Sequence, residues 1–166
     1  MRGCGNTFPC ALELKSRITR VVEIRLGLRP SRSQAAERHL IAGSEDAVSA
    51  LRPLFAAEME IRESFKLLCL DHGRRVKGYW CAGLGGISAT HVDMRLVLAV
   101  ALKALSPAIV IAHNHPSGCP KPSASDIRFT QQLAAACRLM DIKLLDHVVL
   151  TQHEHYSFAD NDLIDP

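Results

Sequence analysis

The stretch HNHPSGCPKPSASD, residues 113–126, holds side chains of the kind that ligate zinc: His113, His115 and Asp126. Two neutral imidazoles and one carboxylate fill three tetrahedral positions and leave the fourth for water. Held on zinc, that water has a pKa of about 7, so hydroxide is available at neutral pH. The histidines are two residues apart where an apolar run ends, and strand side chains alternate, so both imidazoles are expected on one face at a sheet edge. Pro116, Gly118, Pro120 and Pro122 make the connector stiff enough to return the chain and bring Asp126 to the pair. A second description fits the same residues. Ser123 and Asp126 match the capping box S-x-x-[DE], and the dipole at a helix start favours a carboxylate. Capping leaves the two histidines unexplained, and the descriptions coexist, because that dipole also keeps a ligand aspartate ionised.

Other zinc patterns fail. H-x-E followed by P-C-x-x-C is absent, and so is H-E-x-x-H. His153 and His155 have the wrong spacing for two ligands one helical turn apart and read as exposed turn residues. The six cysteines (Cys4, Cys10, Cys69, Cys81, Cys119 and Cys137) have no C-x-x-C pairing and are expected as free thiols in a reducing compartment. Cys119, inside the motif, reads as a bystander. Gly83-Leu84-Gly85-Gly86 is not a phosphate cradle, since no G-K-[ST] or G-x-G-x-x-G completes it.

The elements that must position the motif alternate between strand and helix. Val22, Ile24, Leu26 and Leu28 alternate as a half-buried strand over 21–28. Pro30 to His39 reads as a polar linker, and Ser44 as the N-cap of a helix reaching about Leu54. Phe65–Leu70 and Val76–Ala82 read as a hairpin turning at Asp71–Arg74, with Gly73 in the turn. Asp93 caps a helix through Leu105, apolar nearly all round and so expected to be buried on more than one face. Ala108–Ala112 is a buried strand. Ser125–Met140 is a helix with Ile127, Thr130, Ala134, Cys137 and Met140 along one face. Leu144–Leu150 and Tyr156–Ala159 complete an α/β unit in three layers, a mixed sheet flanked by helices.

At 166 residues, 48% hydrophobic and 22% charged, the composition is that of one ordinary globular domain. The longest apolar run, Leu96–Leu102, is too short to span a bilayer, and no apolar stretch follows Arg2 as in a signal peptide, so a cytoplasmic protein without a membrane partner is expected. The net charge of +3 is uneven: residues 1–40 carry eight Lys/Arg against three Asp/Glu, and the remainder twelve against fourteen. A basic arm over 1–40, without clear period over its first 18 residues and so partly disordered, precedes a domain over 41–166. The arm suits nucleic acid, yet it lacks interleaved aromatics or a dense cluster, so a solvated segment is preferred over that partner.

His113-Asn114-His115-Pro116, six residues, Ser123, two residues and Asp126 resembles H-x-H-P-x(6)-S-x-x-D, the signature of JAMM (JAB1/MPN) metallopeptidases. The HNHPSG variant, with Thr130 following the aspartate, resembles the bacterial RadC-type branch. Glu63–Leu68, Gly85–Ser88, Leu145–His147 and Ser157–Asp160 add to the likeness, which runs from about residue 21 to the end. The resemblance implies a cytidine-deaminase-like MPN/JAB fold and one zinc per chain on His113, His115 and Asp126. It implies Ser123 as hydrogen-bond donor to a developing oxyanion and Glu63 as general base, with Glu58 and Glu60 as nearby rivals. A peptide or isopeptide substrate follows. The helix-hairpin-helix region of longer RadC proteins has no counterpart here, which weakens a DNA-repair role, and Asn114 stands where deubiquitinating members usually have serine. Two alternatives stay open: a nucleic-acid-associated accessory protein and a zinc-binding interaction module without catalysis.

Overall fold

The structure is a computed structural model that describes residues 38–84 and 92–164. The expected strand over 21–28, most of the basic arm and Gly85–Ser88 lie outside the described residues. The elements are helix α1 (Ser44–Leu51) running into a 3-10 turn (Arg52–Phe55), strands β1 (Ser64–Leu70) and β2 (Val76–Leu84), helix α2 (Met94–Lys103), strand β3 (Ala108–Asn114), helix α3 (Ala124–Leu139), and strands β4 (Lys143–Leu150) and β5 (His155–Ser157). They build a five-stranded sheet in the order β2-β1-β3-β4-β5. Only the β3–β4 pair, joined through α3, is parallel; the other three are antiparallel. The sheet is therefore mixed.

Two apolar layers sandwich it. On one face Phe65, Leu67, Cys69, Ile109, Ile111 and Val149 pack with Val97 and Ala101 of α2 and Leu133, Ala134 and Cys137 of α3. On the other, Leu68, Leu70, Val110, Ala112, Val148 and Leu150 pack with Ala47, Val48 and Leu51 of α1 and with Phe55. Strands β1 and β3 are buried along their whole length, as expected of strands covered on both faces. No helix among the described residues is long and apolar enough to cross a membrane.

Several local expectations are corrected. Ser44 is the first helical residue and Gly43 the N-cap; the Asp46 carboxylate accepts instead from the backbone N–H groups of Ala42 and Gly43, at 2.9 and 3.3 Å. Pro53, with no N–H to give, falls where α1 tightens into the 3-10 turn. Asp93 does cap α2, accepting from Arg95 N. That helix buries one stripe rather than several, Val97 and Ala101, while Leu96 and Leu102 are 51% and 45% exposed. In α3, Leu133 takes the inward place expected of Met140, which is the half-exposed C-cap. Asp141, at φ 54°, turns the chain there, and Ile142 N donates to Cys137 O while Asp141 N donates to Arg138 O. Those two bonds form a Schellman ending, which removes Met140 from the buried stripe. Strand β5 is His155–Ser157, so Phe158 and Ala159 lie beyond it.

One irregularity decides which residues meet. Ile109 pairs with Leu144, but Val110 pairs with Asp146, so Leu145 is an extra residue in β4. A bulge of one residue reverses the alternation that follows. Leu144 faces the α3 layer, Leu145 packs toward the α1 layer, and His147 is thereby returned to the face that carries His113.

Candidate metal centre

Strand β3 places His113 opposite Phe65 of β1 and Val149 of β4, with its ring stacked at 6.3 Å on that of Phe65. The strand ends at Asn114, and His115 N–H donates to Leu150 O at 2.8 Å, which extends the extended backbone by one residue. Both histidine rings leave on the same face, Nε2 to Nε2 at 3.0 Å. Gly118 turns the connector at φ 79°, a backbone conformation that suits glycine, and its N–H returns to His115 O. The chain then re-enters at Ser123, the N-cap of α3.

The capping box and the ligand cluster are one structure. Asp126 N–H donates to Ser123 Oγ, and the Asp126 carboxylate accepts from Ser123 N–H at 2.7 Å and from Ser123 Oγ at 2.6 Å. The same carboxylate lies 3.6 Å from His113 Nε2 and 3.9 Å from His115 Nε2. The ligand atoms of His113, His115 and Asp126 all fall within 4.8 Å of one another, the three-residue group among the described residues fit to hold a metal ion. Burial works to raise the Asp126 carboxyl, but hydrogen bonding and charge at His113, with the two hydrogen bonds from Ser123, outweigh it. The carboxyl is held well below the ordinary carboxylate range.

The chemistry of the donor set fits a divalent metal. His115 Nδ1 lies 2.8 Å from the Cys119 carbonyl, which only accepts, so Nδ1 carries the proton and Nε2 presents a bare lone pair. It is the backbone of Cys119, not its exposed thiol, that serves the site. Acceptor atoms this close repel unless a cation sits among them. Three such ligands with one position open is the arrangement of a catalytic zinc site.

Glu63, just ahead of β1, lines a cavity of about 190 Å³ together with Phe65, Val92, His113, Ser125, Asp126, Phe129 and His147. Its rivals lie elsewhere: Glu58 Oε2 is 3.5 Å from Lys66 Nζ, which is buried against the Phe55 ring, and Glu60 is exposed. Ser123 does not line this cavity. Its hydroxyl is engaged with Asp126 and with Ser125 Oγ at 2.7 Å, and Ser125 is the serine that reaches the space. His153 is exposed and His155 pairs at 3.6 Å with Glu45, both away from the cluster.

Sequence reasoning missed two supports. Asn114, between the histidines, points to the opposite face. Its Oδ1 accepts from Ser64 N–H at 2.8 Å and Ser64 Oγ at 3.1 Å, and its Nδ2 donates to the carbonyls of Glu58, Met59 and Arg62. Glu63 is thus flanked by two anchored backbone groups, Arg62 O and Ser64 N. Asn114→Asp, nearly isosteric, would set lone pairs against those three carbonyls, each worth about 1–3 kcal/mol when left unpaired in a buried site. The variant is expected to lose on the order of 3 kcal/mol or more in urea unfolding at pH 7; unchanged stability would deny Asn114 this role.

The second support is His147, 1% exposed, whose Nε2 lies 2.8 Å from His113 Nδ1 and whose Nδ1 lies 2.6 Å from Thr130 Oγ1. Its ring stacks on Phe158 at 4.6 Å. Asp146 accepts from Ser157 Oγ and Ala159 N–H on either side of that phenylalanine, and so holds it there. Burial, reinforced by the charge of His113, pushes the His147 pKa well below its usual value, so its ring is neutral. The signal available in the sequence was a histidine inside an apolar strand, but simple alternation assigns it no partner.

A mixed α/β sheet that presents H-x-H at a strand end and the N3 aspartate of a capping box to the same point defines a JAB-type domain. A family model described as RadC-like JAB domain matches residues 41–163, and the chain belongs to that family. Among similar proteins, a UPF0758 protein of Flavobacterium johnsoniae is 32% identical over 86% of this chain and 62% of its own length. A UPF0758 protein of Protochlamydia amoebophila is 32% identical over 96% of this chain and 66% of its own length. One from Acinetobacter baumannii is 40% identical over 64% and 46% respectively. The chain spans between about half and two thirds of the length of these relatives.

Proposed function

We propose that this chain is a zinc-dependent hydrolase of peptide or isopeptide bonds, with a protein or peptide as its substrate. The observation that carries the reading is the convergence of His113, His115 and Asp126 within 4.8 Å beside a cavity that Glu63 also lines. Those three residues would hold one zinc ion per chain. When bound, zinc supplies Lewis acidity, polarising a carbonyl and bringing the pKa of a water toward about 7.

The chain's own residues do the rest. Glu63 takes a proton from the attacking water and returns it to the departing nitrogen, two transfers that one carboxyl group can perform. Ser123 turns its hydroxyl from Asp126 toward the oxyanion that forms on the carbonyl, while its backbone N–H keeps the cap closed. Phe65 and Phe129, edge to face at 5.6 Å, give the cavity an apolar wall that excludes water from these steps.

The test is hydrolysis of pooled peptides and isopeptide-linked peptides by the zinc-loaded protein, read by mass spectrometry. Cleavage that stops on chelation and returns with zinc is expected. A protein that binds one zinc per chain yet cleaves no member of the pools would leave the alternative reading, an interaction module that uses zinc without catalysis.

A further inference from the structure

We propose that Thr130 and His147 are positioning residues that order the protons of His113, so that its metal-facing nitrogen is bare because of groups that never touch the metal. The proposal rests on the metal reading of His113, His115 and Asp126, but its proton assignments follow from hydrogen-bond polarity alone.

The chain of bonds starts at a group with no choice. Thr130 Oγ1 lies 2.7 Å from Asp126 O, a helix carbonyl four residues back, and a carbonyl only accepts. The single hydroxyl proton of Thr130 is therefore committed to Asp126 O. Toward His147 Nδ1, at 2.6 Å, Thr130 Oγ1 has only a lone pair to offer, so His147 Nδ1 must carry a proton and donate it. His147 is 1% exposed and its two ring nitrogens face Thr130 Oγ1 and His113 Nδ1; a single proton on a neutral ring is the form such burial allows. That proton is on Nδ1, which leaves Nε2 an acceptor.

The next link is forced in turn. His147 Nε2 faces His113 Nδ1 at 2.8 Å, so His113 Nδ1 holds a proton and donates it. The neutral form of His113 then has its lone pair on Nε2, the atom that points to His115 and Asp126. Outer-shell partners of metal-bound histidines commonly fix the tautomer with one carbonyl or carboxylate. Here the instruction passes through two side chains and begins at the backbone of Asp126, itself a candidate ligand. The fold closes this loop by placing Thr130 one turn along α3 from Asp126 and by the Leu145 bulge that turns His147 inward.

Thr130→Val removes the acceptor and keeps the shape. His147 Nδ1–H would face a methyl group, so the ring is expected to move its proton to Nε2. That proton then points at His113 Nδ1 and drives the His113 proton onto Nε2, where the metal should bind. Thr130→Ser keeps the hydroxyl and should leave the order intact.

Nitrogen-15 NMR of the histidine rings in the metal-free protein tests the assignment directly. The expected result is His147 protonated on Nδ1 and bare on Nε2, with His113 protonated on Nδ1; a His147 proton on Nε2 would overturn the relay. Zinc alone, titrated against a competing chelator, is the second arm. Thr130→Val should weaken zinc binding roughly 10–100-fold while Thr130→Ser stays near the wild-type protein. Equal affinity of the valine variant and the wild-type protein, or an equal loss in both variants, would also overturn it. If the wild-type protein binds no zinc, the metal reading fails and the ring spectra still decide the relay. They do so too if the valine variant does not fold, since they need only the wild-type chain.

Discussion

Glu63→Gln is expected to lower turnover of any substrate found for the zinc-loaded protein by about 10²–10⁴-fold, the usual contribution of a positioned general acid–base. Zinc stoichiometry should stay at one per chain. Glutamine keeps the length and the hydrogen bonds of the side chain but cannot take up a proton at neutral pH. Glu63 lines the same cavity as Phe65, whose ring stacks on His113, and Asn114 fixes the backbone on both sides of it. A variant that keeps full turnover would remove Glu63 from the chemistry. Neither rival would then be an easy replacement, because Glu58 is paired with Lys66, a lysine buried against Phe55 of the opposite layer, and Glu60 is exposed. Measuring turnover and bound zinc on the same samples separates loss of chemistry from loss of metal.

Asp126→Asn should reduce zinc affinity by more than the roughly 10–100-fold that an outer-shell change costs, because a charged ligand is lost outright. The same substitution acts on folding. The Asp126 carboxyl has a lowered pKa in the folded protein, so its ionised form stabilises the native state. That contribution is fully present above the unfolded value, about 4, and is lost as the pH falls through the lower folded value. Metal-free Asp126→Asn is therefore expected to be less stable than the wild-type protein at pH 7 by about 1–2 kcal/mol, the scale of a lost cap and dipole interaction. The gap should narrow below pH 4. Urea unfolding at pH 7 and pH 3 measures both values, and a gap that widens in acid would contradict the assigned direction.

Much of this centre is legible in the sequence because its parts are local. Two histidines at i and i+2 on a strand share a face whatever the rest of the chain does, and a capping box needs only residues 123–126. The layers of the fold follow from equally local patterns, β1 and β3 as continuous apolar runs and α3 from its inward stripe. Features set by distant partners were not legible. The half-exposure of Leu96 and Leu102 depends on how many neighbours α2 acquires, which an apolar helix pattern does not state. Asn114 binds groups fifty or more residues upstream, so nothing beside it in the sequence announces its role. His147 is the sharpest case: unbroken alternation from Leu144 would put it on the wrong face of the sheet.

The bulge at Leu145 also bears on how this chain tolerates change. The Leu145 side chain is only half-buried, so other apolar residues would fill its place without disturbing the sheet. Its contribution is a unit of length. Removing it would leave every downstream residue chemically unaltered and yet trade the two faces of the rest of β4, sending His147 into the α1 layer and Val148 toward the metal side. Within this strand, deletions and substitutions are thus different kinds of mutation: the centre accepts other apolar residues at 145 and depends on there being one.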